Sequence, residues 1–394
     1  MGALEGLKIA DFSWVGAGPR STKDLADNGA TVVKIESRRR LDLGRRSPPF
    51  ADGRRDDPDA SAFFAQTNTS KRSVTIDLSR PEGVAVALKL CAWADVVVEN
   101  FGPGYMDRIG LGWDDLRGVN PQVILASVSV AGRSGPMAGF RGYGNSAAAF
   151  SGHAALSGWP DRPPHMPPLA YGDVVAPMML TVGILAALER RERTGEGGWV
   201  DVSQIEAMAQ VIGDLFAEAP DDKPGNDDPL MAPHGVYPAA GEDRWVALAC
   251  EDDAQWRALA AALSLEAKPG WDMRDGRKAD EAALDRAVGA ATAGRDREAL
   301  VDLLRAAGVP VSAVTDGRDI AENEDLRDAR HFVTVAHPVL GEAAMPAPPM
   351  TLSDTPWAVG PSPLLGADTA DVLERFAGLG SDEIKALARD GVLA

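Results

Sequence analysis

Hydrophobic runs alternate with amphipathic stretches along the first two hundred residues. Buried-strand patterns are predicted at 7–12, 31–35, 73–78, 95–99, 123–130 and 199–202. Helical periodicity separates several of them, at about 17–28 and at 81–93, and an almost wholly apolar helix is predicted at 177–193. Strands spaced by helices of this length are typical of a parallel sheet covered on both faces. The pattern therefore predicts an α/β fold.

The pattern changes after residue 220. Residues 220–233 are acidic and rich in Pro, Gly and Asp, which indicates a domain boundary. Beyond it, a hairpin is predicted at 234–237 and 244–250, with helices at 252–263, 280–291 and 296–307. This is the pattern of a smaller α+β domain. The tail at 346–363 is rich in proline and predicted to be extended, and a last pair of helices closes the chain.

Composition indicates a folded protein without a disulfide framework. The chain has 394 residues, of which 45% are hydrophobic and 25% charged, so we expect two to three domains. Its two cysteines, Cys91 and Cys250, suit a reducing cytoplasm, the location that we expect, and both fit core positions better than nucleophilic ones. No signal peptide is expected at the N-terminus. The most apolar run, 174–188, is shorter than a membrane helix of ~18–20 residues, so no membrane partner is expected.

Charge argues against one class of partner and favours another. A net charge of −18 does not suit general electrostatic binding of nucleic acid. Positive charge is nevertheless concentrated between residues 34 and 55, in Lys34, Arg38, Arg39, Arg40, Arg45, Arg46, Arg54 and Arg55. A basic cluster on an acidic protein suggests a local polyanion such as a nucleotide or phosphate ligand. The alternative is a solvated loop that happens to be rich in arginine.

A glycine turn follows the first predicted strand, in Gly16-Ala17-Gly18-Pro19-Arg20-Ser21, with Glu36 twenty residues after Gly16. The spacing partly matches a dinucleotide-binding fingerprint. Ser21 replaces its third glycine and Pro19 removes one backbone N–H, so a nicotinamide or flavin site is disfavoured. The sequence has no nucleophile elbow, Walker loop or zinc spacing among its histidines, and no metal is expected.

Asp173 is the strongest candidate for a reactive side chain. It lies between a proline-rich loop and the apolar helix, and Pro177 fits the first turn of that helix. This spacing predicts Asp173 just ahead of the helix N-terminus, where the macrodipole favours a carboxylate. A helix cap is one reading. A carboxylate nucleophile is the other, because the surrounding residues are apolar and small.

Motifs spread over nearly the whole chain, in this order, resemble those of the family III CoA-transferases. They are Leu4-Glu5-Gly6-Leu7-Lys8-Ile9, Gly18-Pro19, Leu25-Ala26-Asp27, Gly29-Ala30, Val33-Lys34-Ile35-Glu36, Asn68-Thr69-Ser70-Lys71-Arg72-Ser73, Glu99-Asn100-Phe101-Gly102-Pro103-Gly104-Tyr105-Met106, Gly132-Arg133-Ser134-Gly135-Pro136, Ala187-Leu188-Glu189-Arg190-Arg191-Glu192-Arg193-Thr194-Gly195-Glu196-Gly197, Val200-Asp201-Val202-Ser203, His234-Gly235-Val236-Tyr237 and Pro363-Leu364-Leu365-Gly366-Ala367-Asp368-Thr369.

The resemblance implies a Rossmann-like domain built from residues 1–226 and 320–394, a small α+β domain at 227–319, and an interlocked homodimer. It places the family's nucleophilic aspartate on Asp173. The implied CoA contacts are Arg38, Lys71, Arg72, Asn100, Phe101 and Met106. Gly16, Gly18, Gly132 and Gly135 are candidate oxyanion donors through their backbone N–H groups. Some members place a glutamine at the turn of Gly16 and Ala17, beside the active carboxylate, and this chain does not.

The implied activity is transfer of CoA from an acyl-CoA to a carboxylic acid, through mixed anhydrides and an aspartyl-CoA thioester, with no tightly bound cofactor. Two alternatives stay open. The α-methylacyl-CoA racemases are similar along most of the chain but use a histidine where this sequence has Tyr143, and a phenol is a poor base at neutral pH. The chain could also be a non-catalytic, CoA-binding subunit of a hetero-oligomer.

Overall fold

The computed structural model describes residues 2–215, 223, 225–266 and 268–394, and the chain divides into two compact units. The first unit takes in residues 1–155, 166–219 and 325–394, so it draws on both ends of the chain. The second takes in residues 156–165 and 220–324. The limits predicted at 226/227 and 319/320 stay a prediction. Part of the predicted boundary segment, residues 220–222 and 224, lies outside the described residues.

A six-stranded parallel sheet forms the centre of the first unit, as the sequence predicts. Its strands are β1 (Lys8–Asp11), β2 (Thr31–Glu36), β3 (Arg72–Thr75), β4 (Val96–Glu99), β5 (Ile124–Ser129) and β6 (Gly198–Ser203). The order is β3-β2-β1-β4-β5-β6, with every neighbouring pair parallel. The order reverses direction between β1 and β4, and open α/β sheets bind ligands beside the carboxyl ends of the strands at such a switch point.

Alternation along each strand supplies the cores on the two faces of the sheet. In β4, Val97 belongs to one buried cluster, while Val96 and Val98 belong to the other. The helices of this part of the chain are α1 (Ala17–Asp27), α2 (Ala62–Thr67), α3 (Pro81–Trp93), α4 (Tyr105–Arg108), α5 (Trp113–Val119), α6 (Gly144–Phe150), α7 (His153–Leu156), α8 (Gly172–Thr194) and α9 (Gln204–Val211). One cluster is closed by α3 and α5, and the other by α1 and α8.

The second unit has its own sheet and its own core. Strands β7 (His234–Pro238), β8 (Trp245–Ala249) and β9 (Val311–Ala313) are antiparallel; the first two form the predicted hairpin, and β9 was not predicted. The helices are α10 (Asp253–Leu263), α11 (Arg274–Ala279), α12 (Glu281–Thr292), α13 (Arg297–Ala306) and α14 (Gly317–Glu322). Trp256 and Trp271 meet edge to face in this core, and the buried Arg277 guanidinium lies 5.5 Å from the Trp256 ring.

The C-terminal segment contributes to the first unit. It contains α15 (Glu324–Asp328), the hairpin of β10 (Phe332–His337) and β11 (Gly341–Pro346), α16 (Thr369–Arg375) and α17 (Ser381–Arg389). Val372, Leu373 and Ile384 from the last two helices join the cluster of α3 and α5. The closing helix pair was predicted, and the β10–β11 hairpin was not.

Helix α8 begins five residues earlier than predicted. Gly172 opens it, so Asp173 lies inside the first turn and Pro177 lies within the helix. Ala176, Leu180 and Ile184 pack into the sheet cluster, while Met178 and Val182 on another side are 57% and 63% exposed. The helix has 23 residues, and an 18-residue stretch of it has a mean hydropathy of 1.5, so it is long and apolar enough to cross a membrane. The shorter run at 174–188 did not indicate this. Core helices of globular proteins meet the same criteria.

Buried ion pairs hold the loops at the carboxyl ends of β1 and β2. Lys71 Nζ lies 3.0 Å from Asp11 Oδ2, and Lys34 Nζ lies 3.0 Å from Asp42 Oδ2, with all four side chains fully buried. The Arg45 guanidinium donates to both oxygens of the equally buried Glu36 at 2.7 and 2.9 Å. A buried charge is strongly destabilising when its partner is removed. These pairs therefore fix where each loop can lie.

The pKa values of one pair reflect this burial. Burial lowers the pKa of the Lys71 ammonium to about 8, against the field of Asp11. Burial acts to raise the pKa of Asp11, but Lys71, Lys34 and hydrogen bonds from Ser13 and Thr22 outweigh it and hold the value at about 2. Both groups are therefore charged together at neutral pH and below it.

We expect Arg45→Ala to lower the free energy of unfolding by about 3–5 kcal/mol, because Glu36 would be left buried without its ion pair. Arg193→Ala, which breaks an exposed pair with Glu189 on α8, is the control and should cost less than about 1 kcal/mol. Urea denaturation of both variants measures the difference. Equal losses in the two would show that the buried pair does not carry this stability.

Candidate active site

The loop after β1 and the loop after β4 meet at the switch point of the sheet. Asn100, directly after β4, makes two hydrogen bonds with Trp14: its Oδ1 accepts from Trp14 N at 2.8 Å, and its Nδ2 donates to Trp14 O at 2.7 Å. This pair of bonds joins the two strand ends on either side of the crevice. The residues beside it line two cavities that share Trp14, Asn100, Phe101, Gly102, Ser129, Val130 and Gly142.

Asp173 opens onto the smaller of these cavities. This cavity has a volume of about 240 Å³ and is also lined by Val15, Gly16, Ala17, Val128, Tyr143 and Gln204. Asp173 Oδ1 accepts a hydrogen bond of 2.7 Å from Gln204 Nε2, and Oδ2 accepts one of 3.3 Å from Gly144 N. The carboxylate is therefore held by two donors while it faces a space large enough for a small reactant.

Two glycines allow this contact between α6 and α8. A Cβ on Gly144 would lie 2.6 Å from Asp173 N, and a Cβ on Gly172 would lie 2.9 Å from Gly144 Cα. Neither distance leaves room for a methyl group, so the two helix N-termini meet only through glycine. Gly144 N can then reach the Asp173 carboxylate.

Burial raises the pKa of the Asp173 carboxyl above its usual value, and the hydrogen bonds from Gln204 and Gly144 and the positive charge of Arg20 act in the opposite direction. The donors all favour the ionised form. A carboxylate in partly apolar surroundings is poorly solvated, and this makes it a better nucleophile than one in water.

The larger cavity has the features of a polyanion site. Its volume is about 580 Å³, and Arg40, Arg108 and Arg141 line it together with the rings of Trp14, Phe101 and Tyr105. Trp14 and Phe101 meet edge to face at 5.6 Å, and the Arg40 guanidinium lies 5.4 Å from the Trp14 ring. Guanidinium groups bind phosphates, and aromatic faces stack on planar bases. The two cavities together suit a long ligand with a charged end and a reactive end.

Three of the residues predicted from the sequence lie beside Asp173: Gly16, Asn100 and Phe101. Gly18 lies farther along α1, where a Cβ would come within 2.2 Å of Ser13 Cβ, so it serves close packing. Gly132 is buried beside Ser203 and Gly135 is exposed, and neither lines the two cavities.

The other predicted CoA contacts each make contacts within the chain. Lys71 Nζ donates to Asp11, to Pro19 O and to Asn68, which uses its three protons. Arg72 pairs with Asp371 at 2.7 Å, Arg38 donates to Leu365 O at 2.9 Å, and Met106 is buried in the core cluster of α3. None of them lines the two cavities, and their contacts with CoA stay predictions.

Two alternatives from the sequence lack support in the site. Glu36, the acidic residue of the dinucleotide spacing, is fully buried, and Arg45 and Ser73 donate to its two oxygens. Tyr143 lines the Asp173 cavity where the racemase pattern requires a histidine, whereas His153 does not line it. His153 instead lies near Tyr171, with ring centroids 6.4 Å apart.

Sequence reasoning missed Gln204, Gly144 and Arg108. Gln204 follows β6 directly and is a buried polar residue at the start of a helix. A polar residue directly after a predicted strand could have indicated a site at the carboxyl end of that strand. Gly144 and Arg108 carry no such signal, because their roles depend on which loops the fold brings together.

Comparison with known proteins identifies a family. The sequence model of CoA-transferase family III matches residues 4–369. A formyl-CoA:oxalate CoA-transferase from Streptomyces avermitilis is 32% identical, with 99% of each chain covered. The alpha subunit of a succinyl-CoA–L-malate CoA-transferase from Chloroflexus aurantiacus is also 32% identical, with 98% of this chain and 91% of the relative covered. A CAIB/BAIF family protein from Brucella suis has a similar structure, with a TM-score of 0.88 and 29% identity over 95% of this chain and 99% of that protein.

We expect Gly144→Ala to lower the free energy of unfolding by about 1–3 kcal/mol, because the new methyl group forces α6 away from α8. Gly118→Ala on α5, where a Cβ would meet nothing within 4 Å, is the matched control and should be neutral or stabilising by up to about 1 kcal/mol. Chemical denaturation measures both. A Gly144→Ala protein as stable as Gly118→Ala would contradict the tight contact.

Proposed function

The chain belongs to CoA-transferase family III and is an enzyme that transfers CoA, and on this premise we propose that Asp173 carries the transfer as a covalent nucleophile. The observation that supports this most directly is its position. Asp173 is a partly buried carboxylate that opens onto one cavity, and that cavity adjoins a second one lined by arginines and aromatic rings.

In the proposed reaction, CoA leaves the donor in two steps. A carboxylate oxygen of Asp173 attacks the thioester carbonyl carbon of the donor, the C–S bond breaks, and a mixed anhydride and CoA thiolate result. The thiolate then attacks Asp173 Cγ, the anhydride C–O bond breaks, and the donor leaves as a carboxylate. Asp173 now carries CoA as a thioester.

The acceptor reverses these steps. Its carboxylate attacks Asp173 Cγ and expels CoA thiolate, which forms a second mixed anhydride. The thiolate attacks the acceptor carbonyl, the new acyl-CoA forms, and Asp173 is released as a carboxylate. Every nucleophile and leaving group is already an anion, so the cycle needs neither a general base nor a tightly bound cofactor.

We place the phosphates of CoA beside Arg40 and Arg108 and its adenine or pantetheine against Trp14, Phe101 and Tyr105. This placement follows the charges and rings that line the larger cavity. The Gly16–Ala17 turn lines the Asp173 cavity, and of the glycines predicted from the sequence it is the one positioned to donate backbone N–H groups to the donor oxyanion.

We propose a dicarboxylic acid as the acceptor. Arg141 lines the larger cavity next to Gly142, which lines both, so its guanidinium is available to a second carboxylate of a substrate bound at Asp173. The names of the two relatives give oxalate and L-malate as their acids, and both are dicarboxylates.

Cys91 and Cys250 are free and buried thiols, in keeping with a reducing cytoplasm, where we propose that the enzyme acts.

We also propose that the enzyme is an interlocked homodimer, as the family resemblance implies. The side of α8 that carries Met178, Met179, Val182 and Leu185 leaves each of these side chains at least 40% exposed. An apolar surface of this kind is typical of one that another subunit covers. The relative from Chloroflexus aurantiacus is named as an alpha subunit. The alternative is therefore a hetero-oligomer, for which the chain alone would not form a homodimer.

We expect hydroxylamine added during turnover of succinyl-CoA with L-malate to convert Asp173 into a hydroxamate, identified by mass analysis of its peptide. Asp173→Ala should give no hydroxamate on that peptide and lose transfer activity by about 10⁴-fold or more. Asp302→Ala, on the exposed side of α13, is the control and should behave as the wild type. Full activity in Asp173→Ala would rule out the proposal.

A separate test concerns the acceptor. Replacing L-malate by a monocarboxylate should slow transfer of CoA.

A mass near twice 41.5 kDa is expected in sedimentation of the purified chain alone. Interlocked subunits cannot part without unfolding, so tagged and untagged dimers mixed under native conditions should form no mixed dimer, whereas joint unfolding and refolding should produce one. Rapid native exchange would contradict the interlock, and a monomer would contradict the homodimer.

A further inference from the structure

Gln204 contacts the carboxylate of Asp173 from a different element than the glycine turn. We propose that its side-chain amide is a catalytic group that stabilises negative charge on Asp173 Oδ1. The inference rests on the proposed function, since it assigns a role within the same reaction.

The geometry of the amide supports this role. Gln204 is 4% exposed and is the first residue of α9, and the hydroxyl of the preceding Ser203 accepts from Glu206 N and caps that helix. Gln204 Nε2 donates to Oδ1 at 2.7 Å, and this is the shorter of the two bonds to the carboxylate. Among the described residues, the buried Oε1 of Gln204 has no hydrogen-bond partner. Among the described residues, the hydrogen bond to Asp173 Oδ1 is thus the one that the Gln204 side-chain amide makes.

The turn on the opposite side of the carboxylate leaves that role to Gln204. Gly16 has no side chain, and a Cβ built on it would lie 3.5 Å from Asp173 Cβ, 3.7 Å from Cγ and 3.9 Å from Oδ2. Its φ of −117° is one that any residue adopts. A glutamine would therefore fit at position 16 and lie beside the carboxylate, where this chain has cavity.

The chemistry gives the amide a function in two of the four steps. When CoA thiolate attacks Asp173 Cγ, the electron pair of the Cγ–Oδ1 double bond moves onto Oδ1 and the carbon becomes tetrahedral. The double bond re-forms as the donor carboxylate leaves with Oδ2. The acceptor carboxylate then attacks the same carbon and passes through the same oxyanion. The Gln204 N–H already points at Oδ1, so it can stabilise both intermediates without rearrangement.

The assignment also distinguishes the two oxygens of Asp173. Oδ1 keeps its strong bond to Gln204 and is the oxygen retained in the aspartyl thioester. Oδ2, with the longer bond to Gly144 N and the position facing Gly16, is the oxygen that attacks the donor.

The test compares four variants in the full-length enzyme. Gln204→Met keeps the length of the side chain and removes the N–H donor, and it should lower kcat by about 10²–10³-fold with KM for the acyl-CoA little changed. Gln210→Met, exposed on the same helix, should keep the wild-type kcat. Gly16→Gln combined with Gln204→Met offers an N–H donor on the Oδ2 side instead. The two oxygens then exchange roles, and kcat should rise at least about tenfold, whereas Gly16→Met combined with Gln204→Met should not regain activity.

The pH profile separates a catalytic role from a structural one. The reaction needs ionised Asp173, so activity falls as pH drops through its pKa. The hydrogen bond from Gln204 lowers that pKa, and its loss should move the acid limb of kcat to higher pH. The other groups around Asp173 are the same in all variants. They are Arg20 on α1, whose positive charge acts on Asp173, and the Tyr143 phenol and the Gly144 N–H on the α6 side. Adding Gly16→Gln to Gln204→Met should move the acid limb of kcat back to lower pH.

A folded Gln204→Met enzyme within about threefold of the wild-type kcat, with Asp173→Ala inactive, overturns the role of Gln204 and leaves the proposed function standing. An active Asp173→Ala overturns the proposed function itself. Equal recovery by Gly16→Gln and Gly16→Met, or recovery by neither, overturns the amide assignment. Should Gln204→Met fail to fold, Gln204→Glu, similar in size and without a donor when ionised, replaces it in the same comparison.

Discussion

The loop after β1 is the part of the structure that the buried charges constrain most tightly. Lys34 Nζ donates to Ser13 O at 2.6 Å, Asp42 Oδ1 accepts from Val15 N at 2.9 Å, and Asn100 bonds both backbone groups of Trp14. Val15 has a φ of +64°, which a β-branched residue adopts only where its surroundings impose it. If the loop relaxed, the buried Lys34 and Asp42 would each lose a hydrogen bond to its backbone. Trp14 and Gly16 are thereby fixed at the wall that both cavities share.

Sequence periodicity and the family resemblance predicted the parts of this design that are local. The strands that form the parallel sheet and the part of α8 from Pro177 onward follow from hydrophobic spacing. Asp173 follows from its position before an apolar run. The basic cluster was harder to interpret. Lys34 and Arg45 belong to it, yet both are fully buried in ion pairs. Only Arg40 of that cluster lines the larger cavity. Composition shows that positive charge is concentrated there, but not which side chains the fold buries.

The contacts around Asp173 show why the rest escaped prediction. Gly144 and Gln204 are separated from Asp173 by 29 and 31 residues, and their approach depends on how α6, α8 and α9 pack. The residue pattern within one helix does not determine how close that helix lies to two others. The same holds for Lys71, which binds Asp11 across 60 residues. A basic residue in a motif that resembles a CoA contact thus serves the interior of the fold.

Helices α6, α8 and α9 all begin beside Asp173, with Gly144, Gly172 and Gln204 as their first residues. The N-terminal end of a helix carries a partial positive charge from its peptide dipoles, and three such ends lie near the carboxylate. No lysine or arginine among the described residues is hydrogen-bonded to it. Peptide N–H groups do not ionise near neutral pH, and dissolved ions screen buried dipoles far less than exposed charges. An acidic protein can in this way stabilise a partly buried carboxylate without depending on the ionic strength of its surroundings.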